Sequence, residues 1–236
     1  MLITPQHHQQ FLAHKLFLYP NVNILGRGKL SQYVKINPGC TIISVSIKAF
    51  TYSSSSLQFC EVGSYCSIAA HLHFVGNHNI HRLTTSPCTN VSENDDIFGN
   101  FLNRTPIDRS HLIGGLTIGN DVWIGQNVTL LPGIHIGNGA IIGTGAVVTR
   151  DVPDFSISCG VPAKTKKMRF DDKIIEKIYQ LKWYDYDWSN IPITWVNPEQ
   201  TLAEMEQFIH QVPLIKYNYE YLADQQNCQM RTIQAS

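Results

Sequence analysis

The chain has 236 residues, enough for one substantial domain with a small appendage, and its 18 basic and 18 acidic residues cancel. That balance argues against a nucleic-acid partner or attraction to an anionic membrane, so any anion site must be local. No apolar run approaches a membrane span and the opening MLITPQHHQQ lacks the basic-then-apolar order of a signal peptide, which makes the cytoplasm the expected compartment.

Residues 1–23, with His7, His8 and His14 among mixed apolar residues, read as an N-terminal cap segment or a short amphipathic helix. A β-helix domain is expected over 24–168. From Ile24 to Thr51 glycines and β-formers alternate irregularly, as degenerate early coils, and Tyr52-Ser-Ser-Ser-Ser56 reads as a turn or loop. Period six returns at Val62-Gly-Ser-Tyr-Cys-Ser, Ile68-Ala-Ala-His-Leu-His and Phe74, and stops at His78. The segment 79–115 is polar and turn-rich, and an irregular stretch of that length inside a compact domain marks a functional excursion loop.

Six hexapeptides then stand back to back, beginning at Ile118, Ile124, Leu130, Ile136, Ile142 and Val148. Each opens on an aliphatic residue, four follow it with Gly, and the fifth place holds Val, Val, Ile, Ala, Ala and Val. A period of six fits neither a helix nor a lone strand, so each repeat is read as one short strand and one turn, three repeats closing a triangular coil. Residues eighteen apart then stack, the opening aliphatics fill the interior, and the glycines serve tight turns. The fold class is mainly β, a parallel β-helix. Residues 169–223 form a helical segment: Ile174, Ile178 and Leu181 lie on one face behind Asp171 and Asp172, and Asn197-Pro198-Glu199 opens a second helix with Leu202, Met205, Phe208 and Ile209. The polar residues 224–236 read as a loose tail. Six cysteines without a CxxC pair read as mostly buried thiols.

Four local matches carry a resemblance: Val62-Gly-Ser-Tyr-Cys-Ser-Ile-Ala, Gly76-Asn77-His78 with Leu83-Thr-Thr-Ser-Pro87, Asp121-Val-Trp-Ile-Gly, and Cys159-Gly-Val-Pro-Ala-Lys164 with Trp183-Tyr-Asp-Tyr-Asp-Trp188. Together they cover about residues 60–190 and resemble the hexapeptide-repeat acyltransferases with a left-handed parallel β-helix, in the branch of xenobiotic and sugar O-acetyltransferases. The resemblance implies a homotrimer that uses acetyl-CoA as co-substrate, bound in the groove between neighbouring prisms, with no metal. Where that family usually has an aromatic after the proline of the histidine loop, this chain has Cys88.

By the same resemblance His78 is the general base, and imidazole suits both proton abstraction and return near neutrality. His81 is the alternative base and Asn77 a candidate oxyanion donor. Asp95, Asp96 and Glu61 are candidates to orient the imidazole. Stacking by eighteen aligns Gln126, Thr144 and Pro162 as a track for the pantetheine, with the amides of Gly125 and Gly143 open to close approach; each is equally readable as a turn residue. Trp123, at the sixth place, should point outward, against the donor, the histidine loop or a neighbouring subunit. Lys164 heads the basic cluster Lys164, Lys166, Lys167 and Arg169, which would suit coenzyme phosphates or an ordinary surface.

The expected function is acetyl transfer to a hydroxyl of a sugar or glycoconjugate. An antibiotic acceptor of the chloramphenicol or streptogramin type is the alternative. A zinc hydratase of the carbonic anhydrase type, for which the chain lacks a His-x4-His pair, and a non-catalytic scaffold are more remote.

Overall fold

A computed structural model of the chain describes residues 1–75, Leu83, residues 115–224 and residues 228–233. The repeats close into a parallel β-solenoid of about six turns. On its first face Phe17–Leu18, Lys35–Ile36, Tyr52–Ser53, Ser67–Ile68, Trp123–Ile124, Ile141–Ile142 and Ser156–Cys159 stack in that order. The second face carries Asn23–Leu30, Thr41–Ile43 and Leu57–Gln58 in the early coils, then His73–Phe74, Thr129–Leu130 and Val147–Val148. Leu30, Ser46–Ile47, Cys60–Val62, Leu116–Ile118 and His135–Ile136 build the third.

The interior follows from the six-residue pattern. Every first place from Ile118 to Val148 and every fifth place from Val122 to Val152 is buried, and each large aliphatic so placed contributes roughly 1.5–3 kcal/mol. Turn chemistry sits elsewhere than the repeat's glycines suggest. The left-handed conformation falls at the fourth place, on Asp121, Asn127, Gly133, Gly139 and Gly145. Second-place glycines instead give clearance: a Cβ on Gly119 would stand 2.8 Å from the amide nitrogen of Asn138 in the next coil.

Three expectations are corrected. The solenoid begins before residue 24, since Phe17–Leu18 already pairs with Lys35–Ile36. Tyr52–Ser56 is a coil and not a loop: Tyr52–Ser53 is a strand of the first face, and buried Ser53 and Ser55 turn inward, their hydroxyls donating to the carbonyls of Ser55 and Ala69. The C-terminal end is a hairpin: the segment 169–223, expected to be helical, ends in the strand Tyr219–Ala223, antiparallel to Asn23–Leu30, and in the tail Cys228–Thr232 pairs with Tyr219–Ala223.

Three helices complete the described residues. Helix α1 (Pro5–Ala13) is capped by Thr4, whose hydroxyl accepts from the His7 amide. Helix α2 (Asp172–Leu181) is capped by Asp171 and α3 (Pro198–Phe208) by Asn197, and both pack apolar residues where their spacing places them. The segment from α2 to Tyr219 runs along the edge between the third and first faces. Along that edge Tyr33, Phe50 and Tyr65 are all left-handed and stack at 4.7 Å, and Trp183 closes the column on Tyr65 at 4.9 Å. Among the cysteines, Cys40, Cys60 and Cys66 are buried, and burial pushes the Cys60 and Cys66 thiols up to about 12.

Candidate active site

The three edges of the prism differ in what covers them. Helices and aromatic rings cover the edge between the third and first faces. The edge between the second and third faces is where the long segment departs: the chain leaves the second face after Val75 and returns to the third at Leu116. Ser67 pairs with Trp123 across 56 positions where Trp123 pairs with Ile141 across 18, so 38 residues are inserted in one coil. Among the described residues the remaining edge, between the first and second faces, is open, with Gln126, Asn127, Thr144 and Gly145 exposed on successive coils.

Of the residues the sequence singles out, His78, Asn77 and His81 lie outside the described residues. The stem that leads to them is described: His73–Phe74 pairs with Thr129–Leu130, and His73 is exposed on the second face. Trp123 points outward from the first face and is 53% exposed. Gly125, Gln126, Gly143 and Thr144 share the open edge, where the Gly145 amide donates to the Gln126 carbonyl at 2.8 Å. A Cβ on Gly125 would meet the Thr144 amide nitrogen at 2.7 Å, and one on Gly143 would meet Cys159. The second face, with His73, Thr129 and Val147, separates this edge from the departing loop.

Two placements differ from expectation. In the last turn Ile141 pairs with Ile157, sixteen residues on, so Gly160 and not Pro162 comes level with Thr144. Arg169 does not belong with the lysines. Lys164, Lys166 and Lys167 are exposed on the antiparallel strand Lys164–Met168, with Lys164 opposite Cys159 at the foot of the open edge. Arg169 turns inward at the opposite edge, where its Nη1 donates to Asp121 Oδ2 at 2.9 Å and to the Gly139 carbonyl at 2.6 Å. Burial pushes the Asp121 carboxyl above its usual range, and the Arg169 guanidinium draws it partly back. In sequence nothing sets Arg169 apart from its neighbours; the signal was at Asp121, the fourth-place residue whose left-handed turn faces this edge.

On the third face His135 Nδ1 lies 2.7 Å from the Thr117 hydroxyl. A ladder joins the coils beneath the helices: Asn120 Oδ1 accepts from the Ser64 amide, Asn138 Oδ1 from the Asn120 amide and Asp154 Oδ1 from the Asn138 amide, each at 2.9 Å. Among the described residues no group of three or more His, Cys, Asp or Glu is placed to hold a metal ion.

The model of the bacterial transferase hexapeptide (six repeats) family matches residues 115–150. A probable macrolide acetyltransferase of Lysinibacillus sphaericus is 40% identical over 135 residues, 55% of this chain and 71% of that protein. A chloramphenicol acetyltransferase of Klebsiella aerogenes is 33% identical over 184 residues, 70% of this chain and 84% of its own length. The chain belongs to the hexapeptide-repeat acetyltransferases. Similarity to sugar-modifying members is shorter: a galactoside O-acetyltransferase of Escherichia coli K12 is 41% identical over 69 residues, 29% of this chain and 32% of that protein. As a hexapeptide-repeat acetyltransferase the chain is an acyltransferase enzyme. In this acetyltransferase an uninterrupted run of coils lies beside one long insertion, and among the described residues no helix is long and apolar enough to cross a membrane.

Proposed function

We propose that the chain is an acetyl-CoA-dependent O-acetyltransferase, with His78 as the general base and a hydroxyl of a sugar or glycoconjugate as the acceptor. The observation that carries this reading is the insertion: the coil opens after Val75, three residues ahead of His78, and one face away the coils expose Gln126, Asn127, Thr144 and Gly145 along the open edge. Kinship with acetyltransferases acting on small hydroxyl compounds supports it.

His78 removes the acceptor's proton as its oxygen attacks the thioester carbonyl, and the imidazolium returns that proton to the departing thiolate. Asn77 donates to the carbonyl oxygen as it gains charge, and His81 is the alternative base. Gln126 and Thr144 bind the donor's extended arm along the open edge, whereas the amides of Gly125 and Gly143, which the sequence left free for it, are spent on the carbonyls of Ile142 and Ser158 in the next coil. Trp123 flanks that arm, and Lys164, at the foot of the edge, meets its phosphates. The chain works as a cytoplasmic homotrimer in which a neighbouring prism closes the groove, as analytical ultracentrifugation can check.

A second reading is favoured by the relatives that align over most of their own length: these are named for chloramphenicol and macrolides, so the acceptor is an antibiotic hydroxyl. One assay separates the two and tests the first. Release of free coenzyme A from acetyl-CoA is followed against panels of sugars, sugar nucleotides and antibiotics. The His78→Ala variant should lose roughly 100-fold or more of turnover while still binding acetyl-CoA by calorimetry. Full turnover in that variant removes His78 from the mechanism, and no release with any acceptor class removes the reading itself.

A further inference from the structure

A cleft of about 260 Å³ opens on the helical edge, on the side of the prism away from the open edge. The Asp121–Arg169 pair lines it together with Phe170, Leu202, Trp183 and Trp195. The two indoles stand at 69° with centroids 5.6 Å apart, making an aromatic corner, and Trp195 is 56% exposed. A cavity of about 150 Å³ accepts a benzene ring, so this one has room for a fused pair of rings.

The ion pair decides what kind of ring. Both charged side chains are largely shielded, at 21% and 27% exposure. Every hydrogen bond described from the Arg169 side chain runs through Nη1, and its ion pair uses Oδ2 of Asp121. A guanidinium fork has five N–H groups and a carboxylate two oxygens, so the pair has donor and acceptor groups beyond those its described bonds use, in a cleft lined mostly by apolar side chains, with the guanidinium 4.8 Å from the Phe170 ring centroid. A purely hydrocarbon occupant would strip water from that edge without replacing it.

We propose that this cleft binds a planar heteroaromatic ring of the purine kind, stacked on Trp195 with an amine toward Asp121 and a ring nitrogen toward Arg169. The ring edge matches the ion pair, one donor to the carboxylate and one acceptor to the guanidinium, and the ring face meets the exposed indole. The site does not rest on the acetyl-transfer reading, because its residues lie on a different edge from Gln126 and Thr144.

The test is isothermal titration calorimetry of adenosine into the full-length chain, its Trp195→Ala variant, and purine riboside into the unmodified chain. Adenosine should bind, and Trp195→Ala should weaken it by about tenfold or more, in line with the worth of base stacking on an aromatic side chain. Removing a half-exposed indole leaves the buried cores in place. Purine riboside, which lacks the exocyclic amine, should also bind about tenfold more weakly. An absence of adenosine binding, or equal affinity in the Trp195→Ala variant, overturns the proposal; in the latter case the purine occupies another site, such as the open edge. Coenzyme A release is read separately, so either failure leaves the acetyl-transfer reading to its own test.

Discussion

At the scale of single residues, the repeat's glycines divide into two kinds that the sequence writes with the same letter. Gly119 is held by proximity, since a Cβ there would press on the Asn138 backbone, with its nitrogen at 2.8 Å and Cα at 3.0 Å. Gly145 is held by conformation, with φ +72° and nothing within 4 Å of an added Cβ. The backbone of a stacked coil cannot retreat without breaking the ladder above and below it, so Gly119→Ala should cost about 2 kcal/mol, typical of overpacking. Gly145→Ala should cost about 1 kcal/mol, the strain of a left-handed alanine. For a chain of this size that is roughly 4–8 °C against 2–4 °C in Tm. Gly145→Asn should stay near the unmodified protein because Asn tolerates that region. Thermal unfolding of the three variants checks the order, and a smaller loss for Gly119→Ala than for Gly145→Ala would refute the distinction. The repeat announces that small residues are needed at these places; it does not say which constraint each one answers.

At the scale of elements, what was legible depended on whether the signal was local. The inward columns and the starts of α2 and α3 were readable because a six-residue period or an Asp or Asn cap followed by spaced apolar residues is written within one short window. The C-terminal hairpin was not, because its order comes from a partner about 190 residues away. Tyr219–Ala223 is a strand only because Asn23–Leu30 offers an edge, and Tyr221 is buried only because Gly28 leaves room beside the Val45 carbonyl. The Tyr221 hydroxyl accepts from the Val45 amide and donates to the Val45 carbonyl, both at 2.9 Å. Tyr221→Phe leaves two backbone groups buried without that partner and should cost about 2 kcal/mol or more. Urea unfolding monitored by circular dichroism measures the loss, and an unchanged midpoint would mean that the hairpin adds nothing to the stability of the first coils.

For the molecule as a whole, the three edges differ in what covers them, and this division was only half visible in the sequence. The loss of period after His78 marked the edge where the loop departs, and the exposed Gln126 and Thr144 marked the open one. The covered edge was hidden, because its aromatic column joins Tyr33, Phe50 and Tyr65 from three coils with Trp183 from beyond the solenoid, and no period links these four. With that edge occupied by α2, α3 and the segment that follows, the proposed donor track is the edge that the described residues leave uncovered along successive coils. Thr144 sits midway along it, exposed, with its side chain outside the packed interior. Thr144→Trp should therefore raise KM for acetyl-CoA by about tenfold with kcat little changed, the pattern of lost uniform binding. Its Tm should hold within about 2 °C, as for a surface change away from the core. Lys177→Trp, equally exposed but on α2, should leave KM as it was. Steady-state kinetics at saturating acceptor decides the matter: if a tryptophan at Thr144 leaves KM for acetyl-CoA untouched, the donor does not run along this edge, and the second face, with His73, Thr129 and Val147, becomes the surface against which it must lie.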